Sequence, residues 1–122
     1  MKAINGWTRE KMKAQIRLKN NGKKSIDVDG RCLYRSGDGN ACVAGCFIPD
    51  DNPLITDSEL MLRYNTSPVS TIWSQIKDVA PLEVQHLRIL QDIHDTFEEA
   101  GSPGSLHDRL FKWIDANVED TE

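Results

Sequence analysis

Three thiols are the first candidates for chemistry. Cys32, Cys42 and Cys46 all fall in the stretch CLYRSGDGNACVAGCFIPD that ends at Asp50. Two uses of these sulfurs can be weighed. Cys42 and Cys46 have a spacing found in some metal sites, with Cys32 as a third donor and a histidine needed as the fourth. The histidines do not cooperate: His86, His94 and His107 are scattered. His86 and His94 on one helix would stand ~12 Å apart along its axis, too far to share an ion. No metal or cofactor is therefore expected. The other use is nucleophilic, with Cys42 as the thiol and His94 and Asp95 as base and orienting carboxylate. A working thiolate needs a cationic or helix-end environment, and the apolar neighbours Val43, Ala44 and Phe47 argue for the opposite. An enzyme centred on Cys42, or a thiol-metal protein, is thus the alternative reading.

The favoured reading is structural. Cys32, Cys42 and Cys46 are expected as reduced thiols filling a packing junction with Tyr34, Gly45 and His94. Gly45 would permit close backbone approach. His94 shares an apolar face with Leu87 and Leu90, so it is expected in the core with a hydrogen-bond partner, Tyr34 or a carbonyl of the cysteine loop.

The elements that must position these residues follow from spacing and punctuation. The 122 residues suit one domain, 1–122, with ends fraying at about 1–5 and 118–122. A first helix runs from a Thr8 cap to about Asn20, with Trp7 folding against Met12. Ser25–Val28 and Arg31–Tyr34 alternate around Asp29-Gly30, which predicts a small antiparallel hairpin. Residues 41–48 form either a third strand or a buried helical turn, and residues 49–53 an irregular loop. Thr56 with Glu59 reads as a capping box for a short helix carrying Leu60, Met61 and Tyr64. Ser67-Pro68 opens a helix with Val69, Ile72, Trp73 and Ile76 on one face. Pro81 opens the longest helix, about 82–99, and the Gly101–Gly104 stretch breaks it. Ser105 caps a last helix with Leu106, Leu110, Trp113 and Ile114 inward. The expected fold class is α+β: a hairpin or three-stranded sheet packed against four to five helices.

The net charge of −4 is unevenly spread: residues 1–35 carry +7 and residues 36–122 carry −11. Mutual attraction of the two segments within the fold is favoured, and a basic patch for a partner is the alternative. Nucleotide or nucleic-acid binding through the basic first helix ranks lower, since the isoelectric point is near 5.3 and no interleaved aromatic surface is visible. No apolar run reaches the roughly 20 residues of a membrane span, and Met1–Asn5 is not followed by a signal core, so a soluble, cytoplasmic protein is expected.

Certain short motifs stand together: Cys32-x-Tyr34-Arg35, Gly39-x-x-Cys42-x-x-Gly45, Ile48-Pro49-Asp50 and Ile93-His94-Asp95. Their order resembles a group of small uncharacterised proteins of phages, prophages and bacteria. The likeness spans about residues 7–115. It departs most between Thr56 and Pro68, where a glycine-containing loop is missing. The resemblance implies an accessory protein of a mobile element, in the host cytosol, acting without enzymatic chemistry by binding a host or defence-system protein. Trp7, Arg9, Lys13, Arg17 and Tyr64 are the candidate interaction residues.

Overall fold

A computed structural model describes residues 1–98 and 104–120 of the chain. Among these residues seven helical segments occur: α1 (Arg9–Lys19), α2 (Val43–Cys46), α3 (Pro53–Thr56), α4 (Ser58–Tyr64), α5 (Val69–Ile76), α6 (Val84–Thr96) and α7 (Leu106–Asn117). The expected α+β class is wrong. No β-strand is present among the described residues, and the hairpin segments meet only through two isolated antiparallel bridges, Ile26 with Cys32 and Arg35 with Ala41.

The reason lies in competing hydrogen bonds. The Asp27 carboxylate accepts from the backbone N–H groups of Asp29 and Arg31, each at 2.9 Å, so the turn is held by a side chain rather than by a growing ladder. Beyond Leu33 the chain leaves its partner altogether. Tyr34 N–H donates to the Asn65 carbonyl, and the Asn65 side chain accepts from Arg35 N–H and donates to the Arg35 carbonyl. Val28, an alternating apolar residue of the expected strand, is fully exposed, so no buried face rewards a sheet.

Residues 41–48 take the helical alternative. All four residues of α2 are buried, and α2 lies between α1 and α6. A one-turn helix cannot satisfy its own backbone, and in a dry core each unpaired carbonyl or N–H costs about 1–3 kcal/mol. Side chains from several directions supply the partners. Asn20 Nδ2 donates to the Ala41 carbonyl at 2.7 Å and Gln15 Nε2 to the Cys46 carbonyl at 2.9 Å. Gln91 Oε1 accepts from Ala44 N–H at 2.9 Å. The Arg35 guanidinium donates to the Gly45 and Ile48 carbonyls and pairs with Asp50 at 2.7 Å. Lys19 joins Asp50 from α1, and the two cations together hold the Asp50 carboxyl well down, at about 2.

Around this turn the apolar faces close. Met12 and Ile16 of α1, Ile72 and Ile76 of α5, Leu87 and Leu90 of α6, and Leu106, Leu110 and Ile114 of α7 are all buried in one cluster with Val43 and Cys46. The capping chemistry agrees with the sequence at both ends of the chain. Thr8 accepts from Lys11 N–H, and Ser105 forms a reciprocal capping box with Asp108.

The middle differs in detail. Asp57, not Thr56, caps α4, because its carboxylate reaches Glu59 N–H and Leu60 N–H while Thr56 still belongs to α3. The helix α3 replaces part of the loop expected around Pro53, with Asn52 as its cap. Pro68 and Glu83 are themselves the caps, so α5 and α6 start one or two residues later than the prolines suggest. Residues 99–103, where the helix break was expected, lie outside the described residues, as do 121 and 122. The terminal segments expected to fray are hydrogen-bonded: Ile4 N–H to the Pro81 carbonyl, Asn5 Nδ2 to the Lys77 and Ala80 carbonyls, and Glu119 N–H to the Met1 carbonyl. No helix among the described residues is long and apolar enough to cross a membrane.

Gly45 marks the tightest approach in the fold. A Cβ at this position would stand 2.0 Å from the Tyr34 carbonyl oxygen, a backbone atom that cannot yield cheaply. Gly45→Ala should destabilise the protein by at least ~2 kcal/mol through overpacking. Urea denaturation measures this, and an unchanged midpoint would show that α2 does not sit against the Tyr34 backbone.

Candidate functional site

The turn at Ser25, the bridge residue Cys32, the buried α2 and one face of α6 meet at a polar cluster. In α6, Gln91, His94 and Asp95 are spaced so that they share a side. The Cys32 sulfur, a His94 ring nitrogen and an Asp95 carboxylate oxygen all lie within 4.8 Å of one another. Gln91 Nε2 sits among them, 3.1 Å from Cys32 Sγ, 2.8 Å from Asp95 Oδ1 and 3.4 Å from His94 Nδ1. Its orientation is set by the opposite end of the amide. Because Oε1 accepts from Ala44 N–H, the NH2 group must face the thiol and the carboxylate.

His94 is wholly buried, and both of its ring nitrogens are engaged. Ser25 N–H donates to Nε2 at 3.0 Å, so that nitrogen carries no proton. The proton therefore lies on Nδ1 and is donated to Asp95 Oδ1 at 2.9 Å. A histidine arranged this way is a neutral, oriented ring with no lone pair left for a substrate or a thiol. The carboxylate is the open member of the group. Asp95 is 42% exposed at its side chain and, with Gln91, Arg88, Asp92, Ile89 and Val69, lines a surface cavity of about 440 Å³.

The thiols are not activated. A hydrogen bond with Cys42 raises the Cys32 thiol far above its ordinary value, and burial and the Asp95 charge add to this. Burial pushes Cys46 up to about 12. Cys42 is fully buried and none of the three is paired in a disulfide. The alternative catalytic set therefore assembles differently from its sequence version: Cys32, not Cys42, stands beside His94 and Asp95. Tyr34 is not the partner of His94 either. Its hydroxyl donates to the Ser67 carbonyl, which fastens the hairpin segment to the start of α5.

The candidate interaction residues are largely turned to internal work. Trp7 is half-buried, donates from its indole to the Val79 carbonyl at 2.8 Å and meets Phe47 edge to face at 5.1 Å. Arg9 pairs with Asp120 at 2.9 Å, and Lys13 with Asp115 at 2.8 Å and Glu10 at 3.2 Å. Arg17 lies over the Phe111 ring at 4.6 Å. The basic flank of α1 is thus neutralised by α7 and the segment after it. Tyr64 is half-buried in α4, beside Leu54 and Ile55.

Gln91 is the residue that sequence reasoning missed. A glutamine lying three and four positions before His94 and Asp95, on the side that buries Leu87 and Leu90, is the signal that was present. Comparison with known proteins adds nothing to this geometry: no family model, curated protein or solved structure matches the chain.

With the Cys32 and Cys46 thiols raised, Cys42 fully buried and the histidine occupied, Cys32, Cys42 and Cys46 should all be unreactive toward Ellman's reagent in the native protein and titrate fully in denaturant. A fast native reaction at Cys32 would contradict the closed arrangement.

Proposed function

We propose that this chain is a non-enzymatic binding protein, an accessory protein of a phage or other mobile element that docks onto a host or defence-system protein. The observation that carries the reading is the engagement of the wholly buried His94 at both nitrogens, beside a Cys32 thiol held protonated. Such a cluster joins elements and offers no free base or nucleophile. The neutralised flank of α1 favours a protein partner over a nucleic acid, because Arg9 and Lys13 already meet Asp115, Asp120 and Glu10.

The contact surface is then apolar rather than basic. In α4 no residue is fully buried, and Leu62 is 89% exposed beside the half-buried Leu60, Met61 and Tyr64. A large aliphatic side chain in that state gains from a partner's surface what it does not gain from its own core.

The test is affinity capture from host lysate, followed by reconstitution of the pair from purified proteins. The unmodified chain should hold a stoichiometric partner on size-exclusion chromatography, Leu62→Glu should lose it, and Lys13→Glu should keep it. Absence of any stoichiometric partner, or a complex indifferent to Leu62→Glu, would refute the reading.

A further inference from the structure

We propose that Cys32, His94 and Asp95 form a binding site for a zinc-type divalent transition metal, whose place the Gln91 amide holds in the metal-free chain. The inference stands on the geometry of the cluster and does not depend on the docking reading.

The donor atoms decide the class of ion. A thiolate, an imidazole nitrogen and one carboxylate oxygen suit zinc or cobalt, whereas magnesium and calcium require oxygen ligands throughout. The three donors lie within 4.8 Å of one another, and a tetrahedral zinc with bonds of ~2.0–2.3 Å draws its ligands to within about 4 Å. Their convergence on one point is visible through Gln91, whose Nε2 contacts all three at 2.8–3.4 Å. The amide hydrogens serve Cys32 Sγ and Asp95 Oδ1, while Nδ1 carries its own proton toward Asp95; with Cys32 and His94 Nδ1 deprotonated, a doubly charged cation at this point would bind all three.

The route and the proton balance are also in place. Gln91 and Asp95 both line the open cavity of about 440 Å³, so the ion has an entrance and the amide a space to turn into. On binding, the Cys32 S–H bond breaks, its electron pair goes to the metal, and one proton leaves to solvent. The ring proton of His94 moves from Nδ1 to Nε2, freeing Nδ1 as the ligand. Nε2–H then needs an acceptor where Ser25 N–H now donates. The Ser25 hydroxyl is buried without a partner, so the same residue carries an oxygen able to take that role. A water from the cavity completes the coordination.

Chelator-treated, folded protein should be titrated with Co²⁺ and then Zn²⁺, following the thiolate-to-cobalt charge-transfer band, whose intensity distinguishes one sulfur from two. One Co²⁺ per chain is expected, displaced by Zn²⁺. Affinity should be kept in Cys46→Ser, fall at least tenfold in Cys32→Ser and Asp95→Asn, and rise in Gln91→Ala. Absence of a charge-transfer band in the folded chain, or a band as strong in Cys32→Ser, would overturn the assignment. If Cys32→Ser does not fold, unchanged affinity in Asp95→Asn, at the exposed edge, overturns it equally.

Discussion

A single helical turn, Val43–Cys46, lies in the centre of the core with its polar backbone removed from water, and the rest of the molecule is arranged to answer that demand. Longer helices satisfy most of their own N–H and carbonyl groups, but one turn satisfies few. Three side chains from different parts of the chain make up the difference, Gln15 from α1, Arg35 from the hairpin segment and Gln91 from α6, while Asn20 at the end of α1 holds the Ala41 carbonyl just before the turn. Each bond couples the turn to an element distant in sequence, so the same interactions that stabilise α2 also fix how α1, α6 and the hairpin segment meet. Gly45 is the steric counterpart, since only a residue without Cβ admits the Tyr34 carbonyl at that distance.

The polar cluster is a consequence of this arrangement. One end of the Gln91 amide serves Ala44 N–H, and the other is thereby placed among Cys32, His94 and Asp95. His94 in turn anchors Ser25 at the start of the hairpin segment. A group that looks like a catalytic triad in composition is thus, in its metal-free form, a set of mutually satisfied donors and acceptors. Low dielectric makes such a network stiff when complete and costly when broken. The charge asymmetry of the chain has the same inward character, with the basic side of α1 meeting Asp115 and Asp120.

What could be read from the sequence was local. The apolar spacing and caps of α1, α5, α6 and α7 are set within a few residues, and Thr8 and Ser105 cap as their types require. The hairpin segment departs from the expected sheet because alternation and Asp29-Gly30 do describe a turn, while the Asp27 carboxylate and Asn65 take the backbone groups that a sheet would use. No local signal distinguishes those outcomes, since Asn65 lies 30 residues from Arg35. His94 as a buried residue was legible from its place beside Leu87 and Leu90. Its partners were not, because Ser25 reaches it only through the tertiary fold. Cys32 rather than Cys42 beside His94 is likewise a matter of long-range packing.

Native-state hydrogen exchange at the Ala44 amide, compared between the unmodified chain and Gln91→Leu, tests the central claim most directly. Loss of the Oε1 acceptor from a buried N–H should speed exchange at Ala44 by about tenfold or more, while Cys46 N–H, bonded to the Cys42 carbonyl, responds less. Equal protection of Ala44 in the two proteins would mean that side chains do not hold the buried turn, and the account built on it would fail.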